Sequence, residues 1–213
     1  MKILYASLFS LLTLYLYSQT ATVTADKMNV FYKGVDNPMT VVVENYACKD
    51  IVVKTDVGEI KGDGCHYYYH TKDSTASNAK VYVGVLTNSV INWIDTINVR
   101  LKLVPDPTTR IGGVYGGLLP KGTLCAAGGI IAGTDDWDYD VYFAIKYYSI
   151  KIFRNDSVLL KSVNIQGPRF QDDLIKFIHE NCKANDDLLF YNIIATGPDG
   201  LKRKLKEVRI KLE

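Results

Sequence analysis

The sequence has no uncharged apolar run long enough to span a bilayer. Its longest, Ile3–Tyr17, falls short of the roughly 18 residues that a transmembrane helix needs. The first cysteine is Cys48, so the lipobox cysteine of a bacterial lipid anchor is missing. Charge of one sign is missing too. The 25 Lys and Arg against 23 Asp and Glu leave a formal +2, which argues against a dedicated nucleic-acid binder.

The sets of residues that chemistry needs are also missing. Gly117–Thr123 has the outer glycine spacing of a phosphate loop but no lysine after Gly122. The stretch Ile111–Gly117 lacks the glycines of a dinucleotide loop. No helix is expected after either, so no helix N-terminus would hold the phosphate. The acidic run Asp135–Asp140 resembles the start of a calcium loop. Counted from Asp136, however, its sixth position is Val141 and its twelfth Tyr147, where glycine and glutamate are required. It reads instead as a strand edge with aspartates on the wet face. His66 and His70 flank Tyr67–Tyr69 in strand-like sequence, and residues four apart on a strand lie about 13 Å from each other, too far for one metal. His179 and Cys182 share a helix spacing but have no identifiable third group. No serine sits in a Gly-x-Ser-x-Gly elbow. No catalytic residue, cofactor or metal is therefore assigned, and the basic run Lys202–Lys206 reads as a solvated turn and edge strand.

What is present begins with a leader. Met1 and Lys2 precede the apolar Ile3–Tyr17, and the chain then turns polar, the layout of a secretory signal peptide with cleavage expected after Ser18. The protein is expected to be periplasmic or secreted, with no stable membrane span. Apolar residues make up 47% of the sequence, enough for a substantial core. Tyrosine outnumbers phenylalanine 15 to 7, which favours half-buried strands with one polar edge.

Residues 19–104 read as short strands at regular spacing. Met39–Val43, Ile51–Thr55, Val81–Leu86 and Ile97–Leu103 are separated by turn formers such as Gly34–Pro38 and Lys61–Gly64. About seven strands in this length predict an immunoglobulin-like β-sandwich. Val104–Pro105–Asp106–Pro107 then interrupts, since two prolines cannot continue a central strand and they stiffen the connection. Pro105, Asp106 and Pro107 are taken as an interdomain link. Residues 108–213 differ in texture: eight of the 16 glycines fall between Gly112 and Gly133. Strands are expected at Trp137–Ile145, Val158–Ile165, Leu188–Ala195 and Val208–Leu212, with one helix at Gln171–Cys182 and a turn at Gly197–Gly200. The fold class is mainly β: an immunoglobulin-like β-sandwich, then a second small β domain carrying one helix. Four cysteines allow three disulfide connectivities. A Cys48–Cys65 bond is expected, because both flank the hairpin-like Ile51–Lys61 in one domain. Cys125 and Cys182 are expected to be buried thiols.

The ordered motifs Ala25–Pro38, Arg100–Pro107, Gly112–Gly113, the Asp-Trp-Asp-Tyr-Asp run and Thr196–Gly200 resemble the last two periplasmic domains of GldM, the gliding-motility and type IX secretion protein of Bacteroidetes. The resemblance covers nearly all of the expected mature chain. It implies a non-catalytic protein–protein interaction module of the bacterial envelope. In that family an elongated dimer links an inner-membrane motor to an outer-membrane-associated ring, and the terminal domain pair meets the ring proteins. Envelope proteins, gliding or secretion ring components among them, are thus the implied partners, with a homodimer open. With a leader in place of the family's transmembrane helix, the chain is expected to be a standalone exported protein. The other reading is an exported β-sandwich for adhesion or glycan binding, which a cleft rich in exposed aromatics would favour.

Overall fold

The computed structural model describes residues 28–213, so the expected leader, residues 1–18, lies outside the described residues. The chain is mainly β, and its described residues form four sheets. In the first half, β1 (Val30–Tyr32), β7 (Val90–Lys102), β6 (Asn78–Thr87) and β3 (Ile51–Thr55) form one sheet in that order. Strands β2 (Asn37–Thr40), β5 (His66–His70) and β4 (Glu59–Asp63) form the other. Grouping the second, fifth and fourth strands against the third, sixth and seventh is the pairing of an immunoglobulin sandwich. Strand β1 adds to the end of the larger sheet, parallel to β7.

Local chemistry explains these elements. β6 and β7 are joined by Asn88–Ser89, both at positive φ, the two-residue turn whose twist suits a hairpin. Alternating Ala79, Val81 and Val83 of β6 and Val99 and Leu101 of β7 point inward. Of these, Ala79, Val81, Val99 and Leu101 meet Tyr69, which is fully buried and stacks on Phe31 at 4.7 Å, while Val83 packs with Ile51 and Cys65. The Tyr67 and Tyr69 hydroxyls donate to the Ile51 and Val57 carbonyls at 3.0 and 2.8 Å. These tyrosines therefore bury their rings without leaving a polar atom unpaired. Beside them Cys48 and Cys65 are joined as a disulfide, with Cα atoms 4.9 Å apart. The bond closes a 17-residue loop, and its reduction is expected to lower stability by about 3 kcal/mol. Non-reducing peptide mapping, followed by urea unfolding with and without reductant, measures this. A free Cys48 thiol would defeat the expectation.

In the second half, β12 (Ser157–Gln166), β11 (Ala144–Arg154), β13 (Asp187–Thr196), β15 (Val208–Leu212) and β9 (Gly117–Leu119) lie side by side in that order, with β14 (Lys202–Lys204) on β13. β8 (Thr108–Arg110) and β10 (Ile131–Gly133) form a separate ribbon. Helices α1 (Lys121–Ala127) and α2 (Asp172–Asn181) pack on each other. Past α2, buried Asp186 takes two hydrogen bonds from Arg154, at 2.8 and 2.7 Å, and one from the Lys183 amide. Its hydrogen bond with Arg154 holds the carboxyl below the ordinary range, against the opposing effect of burial. The core of this half is one large cluster that also takes in Val35 and Val104, with Tyr32 packed against it.

Several sequence expectations change. Strand β2 ends at Thr40 and not at Val43; Val41 still donates to the Cys65 carbonyl at 2.9 Å, but the chain then turns, with Asn45 at φ 65°. The expected Trp137–Ile145 strand begins only at Ala144, because Asp136 takes φ 50° and bends the acidic run into a loop. A helix does follow Gly117–Pro120: α1, seven residues long, so the half holds two helices and not one. Helix α2 stops at Asn181, with His179 exposed and Cys182 buried, so these two do not share an environment. Cys125 is half-buried and, like Cys182, free, and burial pushes the Cys182 thiol up to about 11.

Candidate functional site

The two halves meet in a joint made from elements that the sequence pattern reads only as turns. Gly34, at φ 79°, abuts the backbone of Pro198 and Asp199, and a Cβ at Gly34 would fall well under 3.0 Å from Asp199. Real Cβ atoms do not approach backbone so closely, and a positive φ favours glycine independently. Three residues on, fully buried Asn37 works as a bracket. Its Nδ2 donates to the carbonyls of Tyr32 (2.8 Å), Val35 (3.0 Å) and Tyr69 (3.2 Å), and its Oδ1 accepts from the Tyr32 amide at 2.7 Å. From the other half, the Tyr139 hydroxyl donates to the same Oδ1 at 3.3 Å. Tyr32, Trp137 and Tyr139 form an aromatic triad with centroids 5.0–5.6 Å apart. Tyr32 meets both rings edge-on, and such edge-on packing adds about 0.5–1.5 kcal/mol per pair beyond the area it buries. The acidic run is thus the second half's hand on the first: its aromatic residues point into the joint.

Arg203 closes the joint from behind. It lies on β14, and its side chain is only 9% exposed. It donates to Asp199 and Asp106 at 2.8 Å each, and to the Val104 carbonyl at 3.3 Å. Its guanidinium lies over the Phe143 ring, 5.5 Å from the centroid. Gly197 makes room for it, since any side chain there would collide with Arg203 and Phe143. Burial alone would raise the Asp199 carboxyl, but hydrogen bonds from Arg203 and the Leu201 amide outweigh it and hold the group below the usual carboxylate range. The hydrogen bond to Asp199, ahead of the opposing effect of burial, in turn raises Arg203 above its ordinary value.

The link residues behave unequally. Asp106 is exposed yet tied to Arg203, while Val104 is buried in the second half's core. Cys48 and Cys65 lie in the first sandwich. His70 pairs with Asp36 at 2.8 Å and His66 contacts Thr40 at 3.4 Å, so each histidine has its own neighbour. Among the described residues no three His, Cys, Asp or Glu side chains gather as metal ligands. Beside the joint, a cleft of about 670 Å³ is lined by Asp36, Asp138, Asp140, Tyr68 and Tyr142 among others. Tyr68 and Tyr142 are 50% and 74% exposed. Reading the sequence misses Arg203, which looks like one cation in a solvated basic run. It also misses Asn37, which looks like a turn former. The one usable signal is the pair of glycines around Pro198–Asp199, which demands a tight backbone just before Arg203.

Two family descriptions match the chain back to back: "GldM third domain" over residues 20–100 and "GldM C-terminal domain" over residues 105–213. The chain belongs to the GldM family. The GldM domains place it with the gliding-motility and type IX secretion machinery. No curated protein matches it. No helix among the described residues is long and apolar enough to cross a membrane. The residues of the joint fall on both sides of the border between the two GldM domains, Gly34 and Asn37 in the third, Asp106, Asp199 and Arg203 in the C-terminal one.

Proposed function

We propose that this chain is a non-catalytic interaction module of the envelope, exported to the periplasm, whose partners are proteins of the gliding and type IX secretion machinery. The observation that carries the reading is the joint. Its aromatic triad and its glycine contact, the latter made on a turn that the Arg203–Asp199 ion pair fixes, hold two GldM domains at one angle, as a composite docking surface requires and as a linker of independent beads does not. Residues 19–104 and 108–213 are the two units, and Pro105–Pro107 joins them. Tagged mature protein, used to capture partners from its own envelope fraction and read by mass spectrometry, tests this. Enrichment of secretion-ring proteins supports the assignment, and recovery of none of them rejects it.

Replacing Pro105 and Pro107 by glycine is expected to leave both units folded while weakening capture by on the order of 1 kcal/mol, since only the ordering cost of the link changes. Titration of a captured partner against both proteins measures the difference.

A second reading, adhesion or glycan binding, is favoured by the cleft beside the joint. Exposed Tyr68 and Tyr142 offer rings for stacking on sugar faces, and Asp138 and Asp140 offer acceptors for sugar hydroxyls. A glycan array separates the two: selective sugar binding lost in Tyr142→Ala would support the second.

A further inference from the structure

The cleft of about 670 Å³ beside the joint draws its walls from both halves. Asp36 and Tyr68 come from the first, and Asp138, Asp140 and Tyr142 from the second. The joint itself aims these groups. Burial alternates along residues 137–142: Trp137, Tyr139 and Val141 are partly buried, and Asp138, Asp140 and Tyr142 between them are exposed. Seating Trp137 and Tyr139 against Tyr32 therefore turns both carboxylates and the Tyr142 ring outward to the cleft. No lysine or arginine lines the cleft, in a chain whose basic residues outnumber its acidic ones 25 to 23. Among the described residues Asp138 and Asp140 have no ion pair, and Asp36 has one, with His70. The chain runs along β1 towards the joint and reaches the cleft at Gly34, so Met28 stands at the end of β1 away from it.

We propose that this cleft docks an exposed basic segment of a partner protein, with arginine or lysine at two or more positions close in sequence. Three features select that occupant. Carboxylates facing one space repel one another, and each is stabilised by a cation placed among them. A single metal ion does not serve, since no three His, Cys, Asp or Glu side chains among the described residues converge closely enough to hold one. Cations strung along a chain can meet carboxylates that lie apart. The tyrosines complete the match. Tyr68 and Tyr142 are 50% and 74% exposed, and a ring face attracts a guanidinium or ammonium. The same fold places Arg110 over Tyr115 and Lys151 over Tyr191, 5.1 and 5.3 Å from the centroids. A neutral sugar would stack on the rings but leave the carboxylate charge unanswered. Because the walls belong to different halves, the cleft lasts only while the joint holds them together. The inference rests on the interaction reading above and names the chemistry of the partner.

The test uses a fluorescein-labelled peptide of alternating arginine and serine, titrated against the full chain by anisotropy. Saturable binding is expected, at least about tenfold tighter than for the same peptide with citrulline, a neutral isostere, at each arginine. The chain's formal net charge of +2 opposes nonspecific attraction of the probe. Asp138→Asn together with Asp140→Asn is expected to weaken binding about tenfold, and Tyr142→Ala about threefold, while Tyr142→Phe retains it. All three positions are exposed, and unchanged thermal unfolding of the variants shows that the joint is intact. Equal binding of the citrulline peptide, equal binding to the double variant, or binding of neither peptide overturns the proposal. So does a neutral sugar that binds the native chain and the double variant alike, whose amides still accept from hydroxyls, since the occupant is then a glycan. So does displacement of the probe, at lower concentration than the probe's own, by a peptide of this chain's residues 20–27, which would make the chain itself the occupant. If the double variant captures the same envelope proteins at undiminished yield, the cleft proposal falls and the interaction reading stands. If the peptide binds as expected and no envelope protein is captured, the cleft stands without that reading.

Discussion

Asp199→Ala is expected to cost about 3–5 kcal/mol, the penalty for leaving a buried charge without its partner. Arg203 would keep one carboxylate, the exposed one of Asp106, and the carbonyls of Val104 and Leu201, in a pocket where its side chain is 9% exposed. The contrast with Asp106→Ala makes the test specific. Asp106 is 84% exposed, so its loss is expected to cost under about 1 kcal/mol. Urea unfolding of the two variants measures both. Similar costs would mean that the guanidinium is in effect solvated and that the joint does not depend on it. A pH dependence follows with a definite sign. Because the folded Asp199 carboxyl lies below its unfolded value, the unfolded chain binds the proton more readily. The stability this group contributes is fully present above the ordinary carboxylate range, and is lost as pH falls through the depressed folded value. Asp199→Asn is expected to lose stability at neutral pH and to show a shallower acid decline. Asp186, also depressed, continues to contribute its own decline in that variant.

Gly34→Ala is expected to cost about 2–5 kcal/mol, combining a positive-φ residue that is no longer glycine with a methyl group driven into the Asp199 backbone. The damage should be local to the joint. The sandwich core around Tyr69 and Val81 and the sheet core around Ile150 and Phe190 contain neither residue. Calorimetry should therefore resolve the single transition of a coupled pair into two, with the separate unfolding of each half. A variant that unfolds in one transition at the original temperature would show that the contact is not tight. Gly113→Ala is the control for φ alone: it shares a positive φ, with nothing within 4 Å of the added methyl.

Period-two alternation was enough to read most strands, because each buries one face. Val208, Ile210 and Leu212 are buried while Arg209 and Lys211 are exposed, the pattern of their sequence. The hairpin turns Asn88–Ser89 and Asn155–Asp156 carry residues that tolerate positive φ, a local signal with a local cause. The failures share a different origin. The alternation through Trp137 and Tyr139 is real, but what it faces is Tyr32, more than 100 positions earlier for Tyr139's bond to Asn37 at separation 102. No period reveals that the buried side belongs to another sandwich. Arg203 sits among lysines of the same charge, and only the fold shows that Phe143, Asp199 and Asp106 converge on it. Helix α1 escaped because its seven residues include Gly122 and span scarcely two turns, too few for a helical stripe.

The parallel pairing of β15 with β9 has a consequence for folding. Ile210–Leu212 sit beside Gly117–Leu119, and β15 lies between β13 and β9, so strands from opposite ends of the second half are neighbours in one sheet. Neither β9 nor β13 gains that neighbour until the long intervening chain has been closed into a loop, a cost that comes before the contacts that repay it. The sheet is therefore expected to be completed late and in one cooperative step, with β15 as the strand that locks the rest together.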